Sequence, residues 1–474
     1  MNHAPHRLSP PNPSATEPEV LVIGGGTAAL CAAISARRAG ASVCLLEQAP
    51  KGLRGGNTRH SRNLRFMHPG TTPLASGPYP VAEFRADLDR ATGGTMDSTL
   101  TPLLIQHSAD VPDWLEDAGV RFQPTASGVL PASRKTAFLL GGGKSMLNAL
   151  YATAEGIGVE IQYAAEVRDL MIREGRLEQV LVAQGEQVRA WRPRAAIACC
   201  GGAQANRDWL RAQWGEAAAG FINRGTPFAE GQVLGSMLRQ GAQPVGDPHS
   251  AYLVAVDARS PADDGGIVTR VRCMPAGIVV DRNGRRSHDE GGDTASTRYA
   301  VWGQRLAGYP GQIGYLILDA RGMREAPPSL YPPISADGIT TLAAALAIDP
   351  VALRTTIARY NAAVRPADQA DDPAGWHTLG LDPPKSRQAL PLTEPPFAAY
   401  PMRPGITFTY HGVRVDAQTR VRLGDGLAVE NLFAAGMIMA PNIIGRGYVS
   451  GLAMTIGIVF GRLAGEEAAR RVQG

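Results

Sequence analysis

A short stretch near the amino terminus, residues 53–68 with the sequence LRGGNTRHSRNLRFMH, concentrates arginine beside a Gly-Gly-Asn turn. It contains four arginines, two histidines and no lysine. Arginine binds carboxylate and phosphate groups through paired hydrogen bonds of fixed geometry, whereas lysine more often serves solubility. The stretch therefore predicts a site for a small anion, although a solvated basic loop would have the same composition.

A glycine-rich turn between two apolar strands lies just before this stretch. In residues 19–48, EVLVIGGGTAALCAAISARRAGASVCLLEQ, a strand leads into an alanine-rich helix and then into a second strand that ends at Glu47. Gly24 permits the tight turn, Gly26 lets the backbone approach a pyrophosphate, and Ala29 allows close helix packing. The phosphates would lie at the helix N-terminus, and Glu47 would accept hydrogen bonds from an adenosine ribose. This βαβ unit predicts dinucleotide binding.

Two later segments indicate which dinucleotide binds. A short strand at 195–200 is followed by Gly201 and Gly202, and residues 431–469 pair another strand and glycine with a C-terminal helix. A nicotinamide-binding domain does not need a strand and helix that return so late in the chain, whereas the extended FAD molecule does. FAD is therefore the predicted cofactor. General α/β core packing would explain the strands but not the glycines that end them.

Length and composition limit the other possibilities. A chain of 474 residues predicts two domains, or one large domain with an insertion. The net charge of +4 is spread along the chain without a Lys/Arg block, which argues against nucleic acid as a partner. No apolar run has the length of a membrane span, and the five cysteines show no CxxC or iron-sulfur spacing. We expect a disordered lead-in over residues 1–17, no metal site, a cytoplasmic location, and any second redox centre on another chain.

Six segments together resemble a known superfamily over nearly the whole chain. VIGGGTAAL, LLEQ, RGGNTRHSRN, IACCGGAQAN, LFAAG and GYVSGLAMTIGIVFGRLAG occur in the order found in the fumarate reductase and succinate dehydrogenase flavoproteins. Within that superfamily, RGGNTRHSRNLRFMH, DRNGRRSHDEGGD and TFTYHGVRVD look like the FAD-dependent tricarballylate dehydrogenases. The resemblance implies oxidation of tricarballylate to cis-aconitate. It also implies that the electrons leave through a separate iron-sulfur or membrane protein, through which this chain would lie at the membrane periphery.

The expected architecture is α/β. Residues 18–243 and 409–474 would form a Rossmann-like FAD-binding domain, because glycine motifs in both segments address one cofactor. Residues 244–408, with their Pro, Asp and Gly clusters, would form an inserted α+β capping domain that carries substrate residues.

The resemblance also implies a set of cofactor contacts and a mode of attachment. Asn57 stands where succinate dehydrogenases attach FAD through histidine, so we expect non-covalent FAD, with His60 nearby as the alternative attachment point. Met437 stands where relatives have a glutamate that holds the ribityl chain. The full set of expected FAD contacts is Gly24, Gly26, Ala29, Glu47, Gly55, Gly56, Asn57, Thr58, Ser61, Val167, Gly201, Gly202, Gly436, Gly451 and Leu452.

Proton transfer in the superfamily is performed by an arginine of the capping domain. In VVDRNGRRSHDEGGDTASTRYAVWG, Arg286 and Glu290 fall on the family pattern, and Arg298 follows as the proton-transfer candidate. These three residues form the predicted catalytic set. A structural salt bridge is the alternative role for Arg298.

The substrate's carboxylates would meet cationic and polar side chains. Relatives have carboxylate-binding histidines near His249 and His411 and a substrate arginine near Arg446, although gap-free counting puts Tyr448 in that arginine's position. The predicted substrate-binding residues are Arg62, His249, Tyr410, His411, Arg446 and Tyr448.

Other functions remain open at this point. The same scaffold serves fumarate-type reductases, ketosteroid dehydrogenases and an oxygen-dependent flavoprotein of cobalamin biosynthesis. A steroid enzyme would need an apolar, tyrosine-rich site, against which the arginine-rich stretch argues. A flavin-binding sensor or assembly subunit without turnover is the non-enzyme alternative, and the residues do not distinguish oxidation from reduction.

Overall fold

The computed structural model describes residues 17–125, 133–263, 268–293, 298–366 and 373–474. Residues 1–16 of the expected lead-in lie outside these ranges. The α-helices of the described residues are α1 (Thr27–Arg38), α2 (Val81–Thr92), α3 (Leu100–His107), α4 (Val111–Asp117), α5 (Gly142–Gly156), α6 (Arg207–Trp214), α7 (Gln232–Arg239), α8 (Arg298–Ala307), α9 (Ala320–Glu325), α10 (Ile339–Ala345), α11 (Pro350–Ala363) and α12 (Leu452–Gln473).

The strands form one mainly parallel sheet, one mainly antiparallel sheet and several small antiparallel ones. They are β1 (Val20–Ile23), β2 (Val43–Glu47), β3 (Asn63–Arg65), β4 (Thr136–Phe138), β5 (Glu160–Tyr163), β6 (Ala165–Arg173), β7 (Arg176–Gln184), β8 (Gln187–Trp191), β9 (Ala195–Ala198), β10 (Ile222–Asn223), β11 (Pro244–Asp257), β12 (Ile278–Asp281), β13 (Gly314–Leu318), β14 (Ile334–Ala336), β15 (Val364–Arg365), β16 (His377–Thr378), β17 (Phe397–Val413), β18 (Arg420–Arg422) and β19 (Ala428–Ala434).

The described residues divide into two compact units. The first contains residues 17–206, 225–252 and 408–474, and the second contains residues 207–224 and 253–407, in each case without the gaps given above. This division differs from the boundaries expected from the sequence at residues 207–224 and 244–252, and by one residue at Phe408. Residues 207–224 lie in the second unit, because β10 pairs there in parallel with β17. Residues 244–252 lie in the first unit, where Ser250 Oγ donates to the backbone carbonyl of Gly445.

The first unit is built on a six-stranded sheet in the order β18-β19-β9-β1-β2-β5. All its pairs are parallel except β18 with β19. Every residue of β1 and β2 is buried, as expected for parallel strands covered on both faces. The predicted Rossmann-like fold is confirmed.

Helices α1 and α12 pack backbone against backbone on this sheet. Gly461 of α12 faces Ala28 of α1 so closely that a Cβ at 461 would lie 2.5 Å from the Ala28 carbonyl oxygen. A Cβ at Gly465 would likewise overlap the Ala32 carbonyl oxygen, whereas at Gly457 it would have ordinary contacts of 3.7–3.8 Å. Two of the three glycines thus have a steric reason to be glycine.

Gly461→Ala is expected to destabilise the protein by about 1–3 kcal/mol, because the added methyl group forces α12 away from α1. Gly457→Ala is the matched control. It adds the same methyl group in the same helix without a clash, so it should leave stability equal or raise it by up to about 1 kcal/mol. Urea unfolding of both variants checks this, and equal effects would contradict the packing argument.

The second unit contains a sheet that is antiparallel except for the pairing of β10 with β17. β12 pairs with β13, β13 pairs with β17, and β14 also pairs with β17, all antiparallel. Helix α8 covers a core around the fully buried Trp302, and α10 and α11 cover a second core. Within the described ranges, no helix combines the length and the apolar character needed to cross a bilayer.

Candidate active site

The turn between β1 and α1 leaves no room for side chains at Gly24 and Gly25. Gly24 has a φ of +113°, and a Cβ there would lie 2.6 Å from the Cys199 carbonyl oxygen. A Cβ at Gly25 would overlap the Glu47 carboxylate and the Tyr151 hydroxyl. The first turn of α1 holds no acidic residue, so its positive dipole end suits a phosphate. This turn fits the pyrophosphate of a dinucleotide.

Glu47 connects the cofactor turn to the arginine-rich stretch. Its Oε1 accepts a hydrogen bond of 2.9 Å from the Ala49 amide, and its Oε2 accepts one of 3.0 Å from the Gly55 amide. Burial raises the pKa of this carboxyl group. Since each carboxylate oxygen can accept more than one hydrogen bond, Glu47 can still accept ribose hydroxyls.

The Gly-Gly-Asn-Thr turn is tied to the first turn of α1. Thr58 Oγ1 accepts a hydrogen bond of 3.1 Å from the Thr27 amide and lies 2.8 Å from Thr27 Oγ1. Asn57 Oδ1 accepts a hydrogen bond of 2.9 Å from the Thr226 amide. Ser61 continues the turn, with its amide donating to the Thr58 carbonyl. The expected FAD contacts of the Gly-Gly-Asn-Thr turn therefore lie beside those of the glycine turn that precedes α1.

The remaining expected FAD contacts lie mainly on strand ends and buried backbone. β19 pairs with β9 in parallel, so Gly201, Gly202 and Gly436 all follow strands that end at the edge where β1 ends. Ala29, Val167 and Leu452 are buried, so a cofactor could meet their backbone more readily than their side chains. Gly451 precedes the first residue of α12, whose N-terminus would also suit an anion. Met437, half-buried after Gly436, offers no carboxylate.

The four arginines of the basic stretch do not share one role. Arg65 is buried and forms an ion pair with Asp87 at 2.9 Å, and its Nε donates to the Ser450 carbonyl. This pairing corrects the expectation that the whole stretch binds an external anion. Arg62 is exposed, and within the described residues its guanidinium has no hydrogen-bond or ion-pair partner. It remains available to a ligand.

The two predicted substrate histidines differ in environment. His249 is exposed and hydrogen-bonds Asp247. His411 is half-buried, and its Nδ1 has no hydrogen-bond partner within the described ranges. Burial lowers the pKa of His411, so its imidazole is neutral near pH 7. Of the two, His411 is the better candidate to bind a ligand.

Tyr410 and Arg446 have structural partners. Tyr410 is 1% exposed, and its hydroxyl donates to the Gly447 carbonyl, so its expected role as a substrate contact is revised to support of that loop. Arg446 Nε donates to the Thr92 carbonyl at 2.7 Å, while the residue as a whole is exposed.

An aromatic cluster of the first unit was missed in the sequence. The ring of Tyr448 stacks on Tyr252, with centroids 4.2 Å apart and planes 5° apart, and Phe408 lies 5.2 Å from Tyr252. Tyr410 meets Phe408 edge to face. The chain thus combines the arginine-rich stretch, which argues against a steroid enzyme, with a cluster of aromatic residues elsewhere in the first unit. Phe408 and Tyr410, which alternate with threonines in TFTYHG, were the signal, but the partners Tyr252 and Tyr448 lie far away in the chain.

Arg286 and Glu290 form a closed ion pair in the second unit. The pair is bidentate, with Nη2 2.6 Å from Oε2 and Nε 3.0 Å from Oε1. The side chains are 4% and 0% exposed, and Glu290 also accepts a hydrogen bond from the Val279 amide. Neither side chain is open to a substrate, so their expected catalytic role is revised to a positioning role.

Arg298, unlike Arg286, forms no ion pair with a carboxylate of the described residues. It begins α8, and its Nη2 donates to the Asp293 backbone carbonyl at 3.3 Å, while its buried Nε has no partner within the described ranges. No carboxylate of the described residues pairs with it, which disfavours the salt-bridge alternative. Burial lowers the pKa of Arg298, as does the nearby Arg387, against the opposing effect of Asp293.

A buried lysine holds the segments around this arginine. Lys385 Nζ donates to the backbone carbonyls of Pro275 and Gly277, both at 2.7 Å. Burial lowers the pKa of Lys385 to about 8. Arg387, two residues on, donates to the Asp293 carbonyl that also accepts from Arg298. A single lysine in PPKSR gave no sequence signal of this role.

Comparisons with known proteins agree with this geometry. The profile of a family described as "FAD binding domain" matches residues 19–448. A fumarate reductase (cytochrome) of Shewanella frigidimarina is 27% identical, over 95% of this chain and 77% of its own. A digoxin reductase of Eggerthella lenta is 24% identical, over 96% and 87%. The open conformation of a flavocytochrome c3 fumarate reductase superposes with a TM-score of 0.74 at 21% identity, covering 98% of this chain and 80% of that one.

Proposed function

The chain belongs to the FAD binding domain family and is an FAD-dependent oxidoreductase of the fumarate reductase type, and we propose that it oxidises tricarballylate to cis-aconitate. The observation that carries the proposal is Arg298, a half-buried guanidinium that forms no ion pair with a carboxylate of the described residues. Removal of a proton from a carbon next to a carboxylate needs a base, and the neutral form of this guanidine would serve as one. Burial lowers the pKa of Arg298, which increases the fraction of that neutral form.

A first group of residues would bind the cofactor. Gly24, Gly26, Glu47, Asn57 and Thr58 would hold FAD, because their amides, carboxylate and hydroxyl surround the glycine turn. FAD when bound supplies the acceptor for the hydride that leaves one substrate carbon.

Substrate binding would use cations and a neutral imidazole. Arg298 would take the proton from the carbon adjacent to the one that loses hydride, which leaves a carbon–carbon double bond. Arg62, Arg446 and His411 would bind the carboxylates, with His411 donating one N–H in its neutral form. We propose that the electrons then pass to a separate iron-sulfur or membrane protein and that the enzyme acts in the cytoplasm.

Anaerobic addition of tricarballylate to the purified holoenzyme tests this proposal. We expect the absorption band of oxidised flavin to bleach with tricarballylate and to persist with succinate and with a ketosteroid. Persistence of the band with tricarballylate, in a protein that visibly holds FAD, would reject the substrate.

Reduction of a bulkier, apolar alkene is the second candidate function. The stack of Tyr448 on Tyr252 favours it, since an aromatic ring stands where a substrate arginine was expected. One relative of this chain is named a digoxin reductase, and that name points to a substrate larger than a small carboxylic acid. Reoxidation of the reduced flavin by a steroid enone, but not by cis-aconitate or fumarate, would support this candidate over the first.

FAD is expected to be bound non-covalently. The attachment position holds Asn57, whose side chain bonds the Thr226 amide and has no nucleophile for a flavin. Acid precipitation of the holoenzyme should therefore release all flavin into the supernatant. Yellow colour retained in the pellet would contradict this, and its loss in His60→Ala would identify His60 as the attachment residue.

A further inference from the structure

We propose that the first unit has a second anion site, apart from the flavin site, that binds a compact polyanion of the pyrophosphate or tricarboxylate type. The site is a pocket of about 250 Å³. Its polar lining consists of Lys51, Arg54, Arg59, Lys144 and Asn148. Three of the four cations come from the arginine-rich stretch and the residues just before it, and the fourth comes from α5.

The lining of the pocket carries positive charge only. None of the lining residues is acidic. Within the described ranges, Lys51, Arg54 and Lys144 form no ion pair, whereas Arg65 and Arg286 are paired with buried carboxylates. Like charges held around one small volume repel each other, so a bound anion with several negative charges is favoured there.

Arg54 is fixed in place by neutral groups. Its guanidinium lies 4.2 Å from the centroid of the Tyr151 ring, and its Nη1 donates to the Tyr163 hydroxyl at 3.0 Å. Its Nη2 also faces Asn148 Oδ1 at 3.4 Å. A guanidinium that is already oriented loses little conformational freedom when an anion binds, which favours affinity.

Lys144 occupies a position that disfavours a cation. It lies in the first turn of α5, which contains no acidic residue, and the N-terminal end of a helix is its positive end. Lysine is therefore repelled there by the helix dipole. An anion bound beside it would interact favourably with both the ammonium group and the dipole.

The pocket is distinct from the flavin contacts but adjoins one of them. Its lining shares no residue with the expected FAD contacts. Gly55 lies between the two sites, since a Cβ there would overlap the Leu147 side chain of the pocket, while its amide donates to Glu47. A ligand held by Arg54 would stiffen this turn. By linkage, it should strengthen FAD binding, and FAD should strengthen its binding.

Calorimetric titration of the holoenzyme tests the proposal, because bound FAD already fills the flavin site. Pyrophosphate and citrate are the two probes, and the tighter of them shows whether the ligand is a phosphate or a carboxylate. Lys51→Ala/Lys144→Ala removes two exposed cations, and Arg173→Ala removes an exposed arginine elsewhere in the first unit. The double variant should bind roughly 10–100-fold more weakly, as expected for the loss of two charge-assisted hydrogen bonds, and the control should be unchanged.

A second readout checks the coupling to the cofactor. In the wild type, but not in the double variant, the better probe should slow the release of FAD on dilution. The proposal fails if neither anion binds at millimolar concentration, or if the double variant and Arg173→Ala bind equally. It does not depend on the identity of the oxidised substrate, because flavin bleaching is not used as a readout.

Discussion

Arg298→Ala is expected to lower the rate of flavin bleaching by substrate by about 10²–10⁴-fold while FAD stays bound. The variant removes the proposed proton acceptor, and Arg298 makes no contact with a carboxylate of the described residues whose loss would unfold the second unit. Stopped-flow measurement of anaerobic bleaching with saturating substrate checks the result. An unchanged rate would remove the assignment.

Two further variants separate proton transfer from a general need for charge. Arg324→Ala removes an exposed arginine of the same unit and should leave the rate unchanged. Arg298→Lys keeps the positive charge but has a lower intrinsic pKa. If Arg298 accepts the proton, the rate of oxidation rises with pH as the side chain deprotonates. In Arg298→Lys this rise should therefore move to lower pH.

Glu290→Gln is expected to destabilise the second unit by about 3–5 kcal/mol. The substitution leaves the Arg286 guanidinium charged, buried and without its carboxylate, and it weakens the bond to the Val279 amide. Urea unfolding followed by tryptophan fluorescence suits this test, since Trp302 is fully buried in the same unit.

Matched variants show whether burial is the cause. Glu394→Gln breaks the exposed pair with Arg324 and should cost less than about 1 kcal/mol. Arg286→Met/Glu290→Leu removes both buried charges and should recover part of the lost stability. Normal stability of Glu290→Gln with abolished turnover would instead restore the catalytic role that the sequence pattern assigns to Glu290.

The arrangement of the glycine turn and Glu47 could be predicted because it is local. Gly24 and Glu47 lie within one contiguous βαβ unit, so residue type and spacing already limit their geometry. The glycines after β9 and β19 could be predicted for the same reason, since parallel strand ends meet at one edge of the sheet.

The environments of the predicted substrate-binding and catalytic residues depend on long-range contacts, which a single sequence does not reveal. Arg65 and Arg62 look alike in the sequence, yet only Arg65 meets a buried carboxylate. The partner of Tyr448 is Tyr252, on a strand far away in the chain, and Lys385 bonds two carbonyls more than 100 residues before it. Residue types indicate what a side chain can do, whereas long-range packing decides which of those options remain.

The close packing of α1 and α12 also has a consequence for biosynthesis. The two helices are separated by residues 39–451, so the ribosome adds 413 residues between them. At about 5–20 residues per second, this takes about 20–80 seconds. During that interval the face of α1 around Ala28 and Ala32 has no partner helix. The cofactor-binding fold is thus begun by residues that are translated well before those that complete it, and during that interval the uncovered face of α1 is apolar surface of the kind that chaperones bind.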